Sequence, residues 1–291
     1  MIHNSLQFVF FGTDEFAVII LDELKKEGFV PAPVVTVPDR RKGRGMKLTP
    51  PPVKIWAEEN HITVLQPEKL DEELVYKLKA KSYQLFVVAS YGKILPKEIL
   101  DIPKHGTLNV HPSLLPLFRG PSPIHSQILA CPADGVCNRP GENSRMVGVT
   151  IILLDEEVDH GPIVAQEVLP MPTPLPSTKK LEEILARAGG KLLAQTIPEW
   201  TLGNIDPQEQ DHKAATYTKI IKKEDGLIDI LTDDPEMLYR KFKAFDPWPG
   251  IYFFQNGKRV KVTDAAFTDE QFIIKKVIPE GKSEINYQNS L

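Results

Sequence analysis

The chain has 291 residues, 42% hydrophobic and 25% charged, ordinary values for a globular protein able to bury a sizeable core. That length suggests about two domains. A net charge of −4 excludes overall basicity as a route to nucleic acid, so such a partner would need a local basic patch. Two cysteines exclude a disulfide framework. Met1 to Phe11 has no basic n-region and ends in Gly12-Thr13-Asp14-Glu15, so no signal or transit peptide is expected. No apolar stretch is long enough to span a bilayer, which leaves the cytoplasm as the expected compartment. A monomer is expected, with no residue pattern behind that expectation. The 26 prolines, nearly twice an average usage of about 5%, cluster at Pro50 to Pro52 and Pro170 to Pro176 and read as fixed turns.

Leu6 to Phe11 is an apolar run ending at glycine and reads as a buried strand. Glu15 to Gly28 has Phe16, Ile19, Ile20 and Leu24 at helical spacing, with Gly28 as the stop. Pro33 to Val37 is a strand, Val53 to Glu59 a helix and Ile62 to Leu65 a strand. Glu72 to Lys81 is a helix, and Leu85 to Ala89, Thr107 to His111 and Val147 to Leu154 are further strands. This alternation predicts a Rossmann-like, mostly parallel α/β sheet covered on both faces. Ligands of such sheets bind beyond the carboxyl ends of the strands. A long helix is expected from Thr178 to Ile197, and the polar stretch 204–218 reads as a linker between a catalytic domain, 1–203, and a smaller C-terminal domain, 219–291. There, Pro235 to Phe245 is a helix, and Gly250 to Gln255, Arg259 to Thr263 and Phe272 to Ile278 are strands. Asn256-Gly257 makes a hairpin turn in what is a β-rich unit.

Asn109 and His111 lie two apart, which on a strand puts both side chains on one face. An amide suits a developing oxyanion, and an imidazole moves protons near neutral pH. Acyl-type transfer without a covalent adduct fits this pair. So does a strand end with two polar residues capping a turn. Asp159, just after a predicted strand, can orient His111, or it can belong to a solvated acidic loop. Pro38 to Lys47 is basic, with Arg40, Arg41, Lys42, Arg44 and Lys47, and suits phosphate contacts or a plain charged loop. Gly12-Thr13 lacks the three-glycine dinucleotide pattern, which argues against oxidoreductase chemistry. Cys131 and Cys137 are too few to clamp a metal, so they read as thiols and no metal is expected. His3, His61, His105 and His212 read as surface or core fillers.

Leu108 to Pro116, followed by Arg119-Gly120 and Pro123-Ile124, resembles the signature of the folate-dependent formyltransferases. The resemblance implies Asn109, His111 and Asp159 as the catalytic set, the last within Asp159-His160-Gly161. It implies 10-formyltetrahydrofolate as co-substrate, in a pocket formed by Ser90, Tyr91, Gly92, Ile94, Leu95 and Pro96, by Ser113, Leu114, Leu115 and Pro116, and by Asp155. Gly43 to Leu48 with Pro50 to Lys54, Ala215-Thr216-Tyr217, Lys243 to Gly250 and Pro279 to Lys282 are similar to the branch that acts on methionyl-tRNA. That branch implies methionyl-initiator-tRNA as partner, Arg44 as the main acceptor-stem contact, and a C-terminal domain of OB type. The alternative is a formyltransferase for a small amine, such as a nucleotide-linked aminosugar.

Three features depart from the family pattern. Cys131 to Met146 looks like an insertion. His160 replaces a small residue, where it would crowd the site or add a second titrating group. About thirty residues separate Trp248 from Gly281, too few for a full five-stranded barrel, so a reduced one is expected.

Overall fold

The computed structural model describes residues 6–42, 45–131 and 146–287. Contacts divide the chain into two compact units, Met1–Arg119 with Gly148–Val168 and Glu183–Thr216, and Gly120–Val147 with Leu169–Glu182 and Tyr217–Leu291. Most of the expected insertion, including Cys137, lies outside the described residues, as do His3, Gly43 and Arg44. Cys131 is buried just beyond the last turn of a helix, Pro123–Ala130.

The first unit is built on a seven-stranded sheet. Its strands are β1 (Phe8–Gly12), β2 (Pro33–Val35), β5 (Thr63–Leu65), β6 (Leu85–Ala89), β7 (Thr107–His111), β8 (Met146–Leu153) and β9 (Ile163–Pro170), in the order β5-β2-β1-β6-β7-β8-β9. The five from β5 to β7 run parallel, and β8 is antiparallel to β7. Every residue of β1 and β6 is buried, as a strand covered on both faces requires. One face is Val9, Phe11, Phe86 and Val88 packed with Leu74 and Leu78 of helix α3 (Glu72–Lys79) and with Tyr91, Leu95 and Ile99.

Helix α1 (Glu15–Lys26) starts at Asp14, whose side chain accepts from the Ala17 amide. Gly12 precedes it because a Cβ there would lie 2.6 Å from the Phe10 ring and 2.7 Å from Ala17. The long helix α6 (Thr178–Leu202) presents Gly189 to Val110 and Gly190 to Glu23, both at distances a Cβ would violate. It runs through Pro198, one turn beyond the expected end at Ile197. Strand β9 was not expected. It is an edge strand ending at Pro170, a place where the missing N–H costs no ladder bond.

In the second unit, β10 (Tyr252–Gln255), β11 (Lys258–Thr268), β12 (Gln271–Pro279) and β13 (Ile285–Asn286) form an antiparallel sheet in sequence order. Asn256-Gly257 forms the expected turn, with φ of 51° and 74°. Strand β11 continues past Thr263 because register shifts around Asp264 carry it through a bulge. Its turn into β12 is Asp269-Glu270, both at positive φ without a glycine to announce it. Helix α7 (Pro235–Ala244) packs on β11 and β12, stacking Tyr239 on Phe267 at 5.7 Å. Among the described residues these four strands are fewer than a five-stranded barrel contains.

Candidate active site

Strand β7 is central in its sheet and delivers two polar side chains at its carboxyl end. Asn109 is half-buried and pairs in register with Val88 and Ile152. Among the described residues its side-chain amide has no hydrogen-bond partner. His111 is buried, with Nε2 3.1 Å from the Phe118 carbonyl oxygen and Nδ1 3.4 Å from Asp159 Oδ1. Both neighbours are acceptors, a pair that matches the two N–H donors of an imidazolium.

Asp159 sits in a tight turn after β8 with φ of 51°, a left-handed conformation that aspartate tolerates better than most residues. Gly161 closes this turn, where a Cβ would come within 1.8 Å of the Leu153 carbonyl oxygen. The neighbouring His160 is engaged by Asp155 and His212. Its Nδ1 lies 2.6 Å from Asp155 Oδ2, and its ring stacks on His212 at 4.0 Å with planes 4° apart.

The segment after β6 splits by side. Tyr91 and Leu95 are buried in the core, and burial pushes the Tyr91 hydroxyl up to about 12. Ser90 and Gly92 are exposed at positive φ, Ile94 is 73% exposed, and Pro96 caps a short helix, α4 (Lys97–Leu100). The Ser90 hydroxyl donates to Asp14. In the 113–117 loop, Ser113 Oγ donates to the Leu117 carbonyl at 2.7 Å. Thr150 Oγ1 donates to Ser113 O at 2.6 Å and accepts from the Leu115 amide at 3.1 Å. Gln166 donates to Leu115 O at 3.0 Å, and Leu115-Pro116 is cis. Ser113 and Leu115 are therefore braces of the loop, while Leu114 and Pro116 are half-buried. Among the described residues, no group of three or more His, Cys, Asp or Glu could hold a metal ion.

A family model described as formyl transferase matches residues 6–197, and one described as formyl transferase, C-terminal domain, matches residues 220–289. The methionyl-tRNA formyltransferase of Chloroflexus aurantiacus is 45% identical over 262 residues, which span 90% of this chain and 80% of the relative. The chain belongs to the methionyl-tRNA formyltransferase family. In structure it is similar to the methionyl-tRNA formyltransferase from Clostridium thermocellum, with a TM-score of 0.59 at 17% identity, over 97% of this chain and all of that one. It is also similar in fold to HypX from Aquifex aeolicus, solved in complex with tetrahydrofolic acid. There the TM-score is 0.65 at 15% identity, over 97% of this chain and 46% of that one.

The basic segment is a hairpin, where sequence suggested a flexible loop. Strand β3 (Arg40–Lys42) pairs with β4 (Lys47–Thr49), and Arg41 Nη1 donates to the Met46 carbonyl at 3.1 Å. Arg40, Arg41 and Lys47 are exposed, as are Met46 and Leu48. The foot of the hairpin is Asp39, which accepts from Lys54 at 2.8 Å and from Gln66 at 2.7 Å. Those bonds, Gln66 first and then Lys54, hold its carboxyl below the usual range. Helix α2 (Pro52–Glu59) supplies Lys54, so the proline cluster at its start fixes where that anchor stands.

Sequence reasoning missed Gln210 and His212, which fell in the stretch read as a linker. Gln210 is buried and His212 stacks on His160. Gln210 lies outside any helix or strand and His212 opens a three-residue 3-10 helix, His212–Ala214, so no local pattern marks them.

Proposed function

We infer that the chain transfers the formyl group of 10-formyltetrahydrofolate to the α-amine of methionine esterified to initiator tRNA, in the cytoplasm. The observation that carries the reading is the His111–Asp159 pair beside the Asn109 amide, unpartnered among the described residues, at the carboxyl end of β7. This is where ligands of such sheets bind. The exposed Ile94 and the open space above Gly92 suit a flat co-substrate lying along the strand ends.

When bound, that co-substrate supplies the formyl carbon and the nitrogen N10 that leaves. The neutral amine attacks the formyl carbon, and negative charge builds on the formyl oxygen. Asn109 donates to that oxygen. His111, carrying a proton on each ring nitrogen, lends positive charge, and Asp159 balances it. The oxygen competes with Phe118 O for the Nε2 proton, which makes this contact strongest when charge develops. If His111 instead accepts the amine proton, the balance is unchanged. The amine loses one proton and N10 gains one.

The exposed Arg40, Arg41 and Lys47, together with Arg44 and Lys42, contact tRNA phosphates in this reading. The test is to offer formyl donor with methionyl-tRNA, with free methionine and with nucleotide-linked aminosugars, and to weigh the products. Formylmethionyl-tRNA alone is the expected product. A formylated sugar without formylmethionyl-tRNA would overturn the assignment.

A further inference from the structure

We propose that Gln210 is a positioning residue, held in one orientation by Arg119, that sets the Asp159 carboxylate against His111. The proposal rests on the reading of His111 and Asp159 as the reacting pair.

The argument begins with which way the Gln210 amide must face. Arg119 is 1% exposed, and a guanidinium has donors only. Its Nε and Nη2 donate to Gln210 Oε1 at 3.2 and 2.7 Å. The oxygen end of the amide is thereby assigned to arginine, so the NH2 end faces the other way. There it meets three successive carbonyls, those of Asp159 at 2.9 Å, His160 at 3.1 Å and Gly161 at 2.7 Å. Three carbonyls converging on one donor group impose the curvature of that turn, and Asp159 lies in it at φ 51°. Gln210 is itself 4% exposed, so water does not compete for these bonds.

A second tie leads from the same arginine. Arg119 Nη2 lies 2.9 Å from His212 Nδ1, which must accept. The His212 ring stacks on His160, the residue after Asp159, and His160 is fastened to Asp155. The histidine that departs from the family pattern is thus part of the brace around the aspartate. The geometry it serves is sensitive. At 3.4 Å the Asp159–His111 contact is longer than an ordinary hydrogen bond, so a shift of a few tenths of an ångström decides whether the groups engage.

The test compares Gln210→Glu with Gln210→Met. The glutamate keeps the shape and pairs with Arg119 but offers the turn no donor, and the methionine keeps the length with neither donor nor charge. Two readings are taken on each folded variant. In the first, kcat falls about tenfold or more, with KM for both substrates held within about twofold, as a misplaced catalytic group requires. In the second, the ¹⁵N signals of the His111 ring, recorded without substrates, move away from their wild-type positions. Wild-type kcat and unmoved ring signals in either variant would overturn the proposal. So would full kcat in Gln210→Glu alone, because packing against Arg119 would then suffice. An Asp159→Asn variant separates the two levels. If it keeps wild-type kcat, the catalytic reading of Asp159 fails, while the ring signals still decide whether Gln210 places it.

Discussion

The end of β7 and the basic hairpin β3–β4 are built by opposite means. At the end of β7, His111 is buried, its two nitrogens have assigned neighbours, and the turn that brings Asp159 is closed by a glycine no other residue can replace. At the hairpin, the Arg40, Arg41 and Lys47 side chains stand in solvent, and the described order lies in a three-residue ladder and in the Asp39 anchor at its foot. The difference matches the two tasks. Stabilising a developing charge needs donors fixed to within about half an ångström. Attracting a polyanion needs net charge and reach, and tolerates motion.

The comparison breaks first at Asn109. Asn109→Ala should lower kcat roughly a hundred- to a thousandfold with an unchanged melting curve, measured at saturating substrates. An unchanged kcat would mean the strand end is only a turn cap. Next, Gly161→Ala should destabilise the fold by roughly 2 kcal/mol or more, because its Cβ meets a backbone oxygen that cannot step aside. A denaturant midpoint equal to wild type would show that the turn is soft after all. At the hairpin the expected effect is smaller and of another kind. Arg41→Ala with Lys47→Ala should weaken tRNA binding and flatten the logarithmic salt dependence by about two units of slope. Binding with the wild-type slope would remove the hairpin from the interface.

The smallest effects sharpen the contrast through pH. Asp14, near the strand ends, is pushed above its ordinary 3.8 by burial, against hydrogen bonds from Ser90 and Ala17. A raised carboxyl binds its proton more tightly in the folded chain, so its contribution is full below about 3.8 and lost as pH rises through the raised value. Asp39 has the opposite sign. Held low by Gln66 and Lys54, it contributes above 3.8 and loses that contribution as pH falls through its depressed value. Denaturant midpoints across the acid range should therefore become flatter on the neutral side in Asp14→Asn and flatter on the acid side in Asp39→Asn. Identical profiles for the two variants would contradict the assignment.

What the sequence reveals follows the range of the interactions involved. The buried strands β1, β6 and β7 are short apolar runs, and their edges coincide with expectation to within a residue or two. Asn109 and His111 were readable because strand alternation is local. The pairing of His111 with Asp159 spans two strands; the residues alone left it open beside a solvated acidic loop, and the resemblance to a family favoured it. Gln210 and His212 were not readable at all, since their partners Asp159, His160 and Arg119 lie about fifty to ninety residues away. Strand β9 was missed because Pro170 at its end opens a cluster that read as loop punctuation, and the end of β11 because Asp264 interrupts the alternation that its bulge then absorbs.

The most direct test of the central claim is the single-turnover rate of formyl transfer to methionyl-tRNA by His111→Asn, with donor and tRNA both saturating. The account predicts a rate lower by at least about a hundredfold, with tRNA affinity retained. A wild-type rate in the folded variant would contradict it and move the chemistry away from the end of β7.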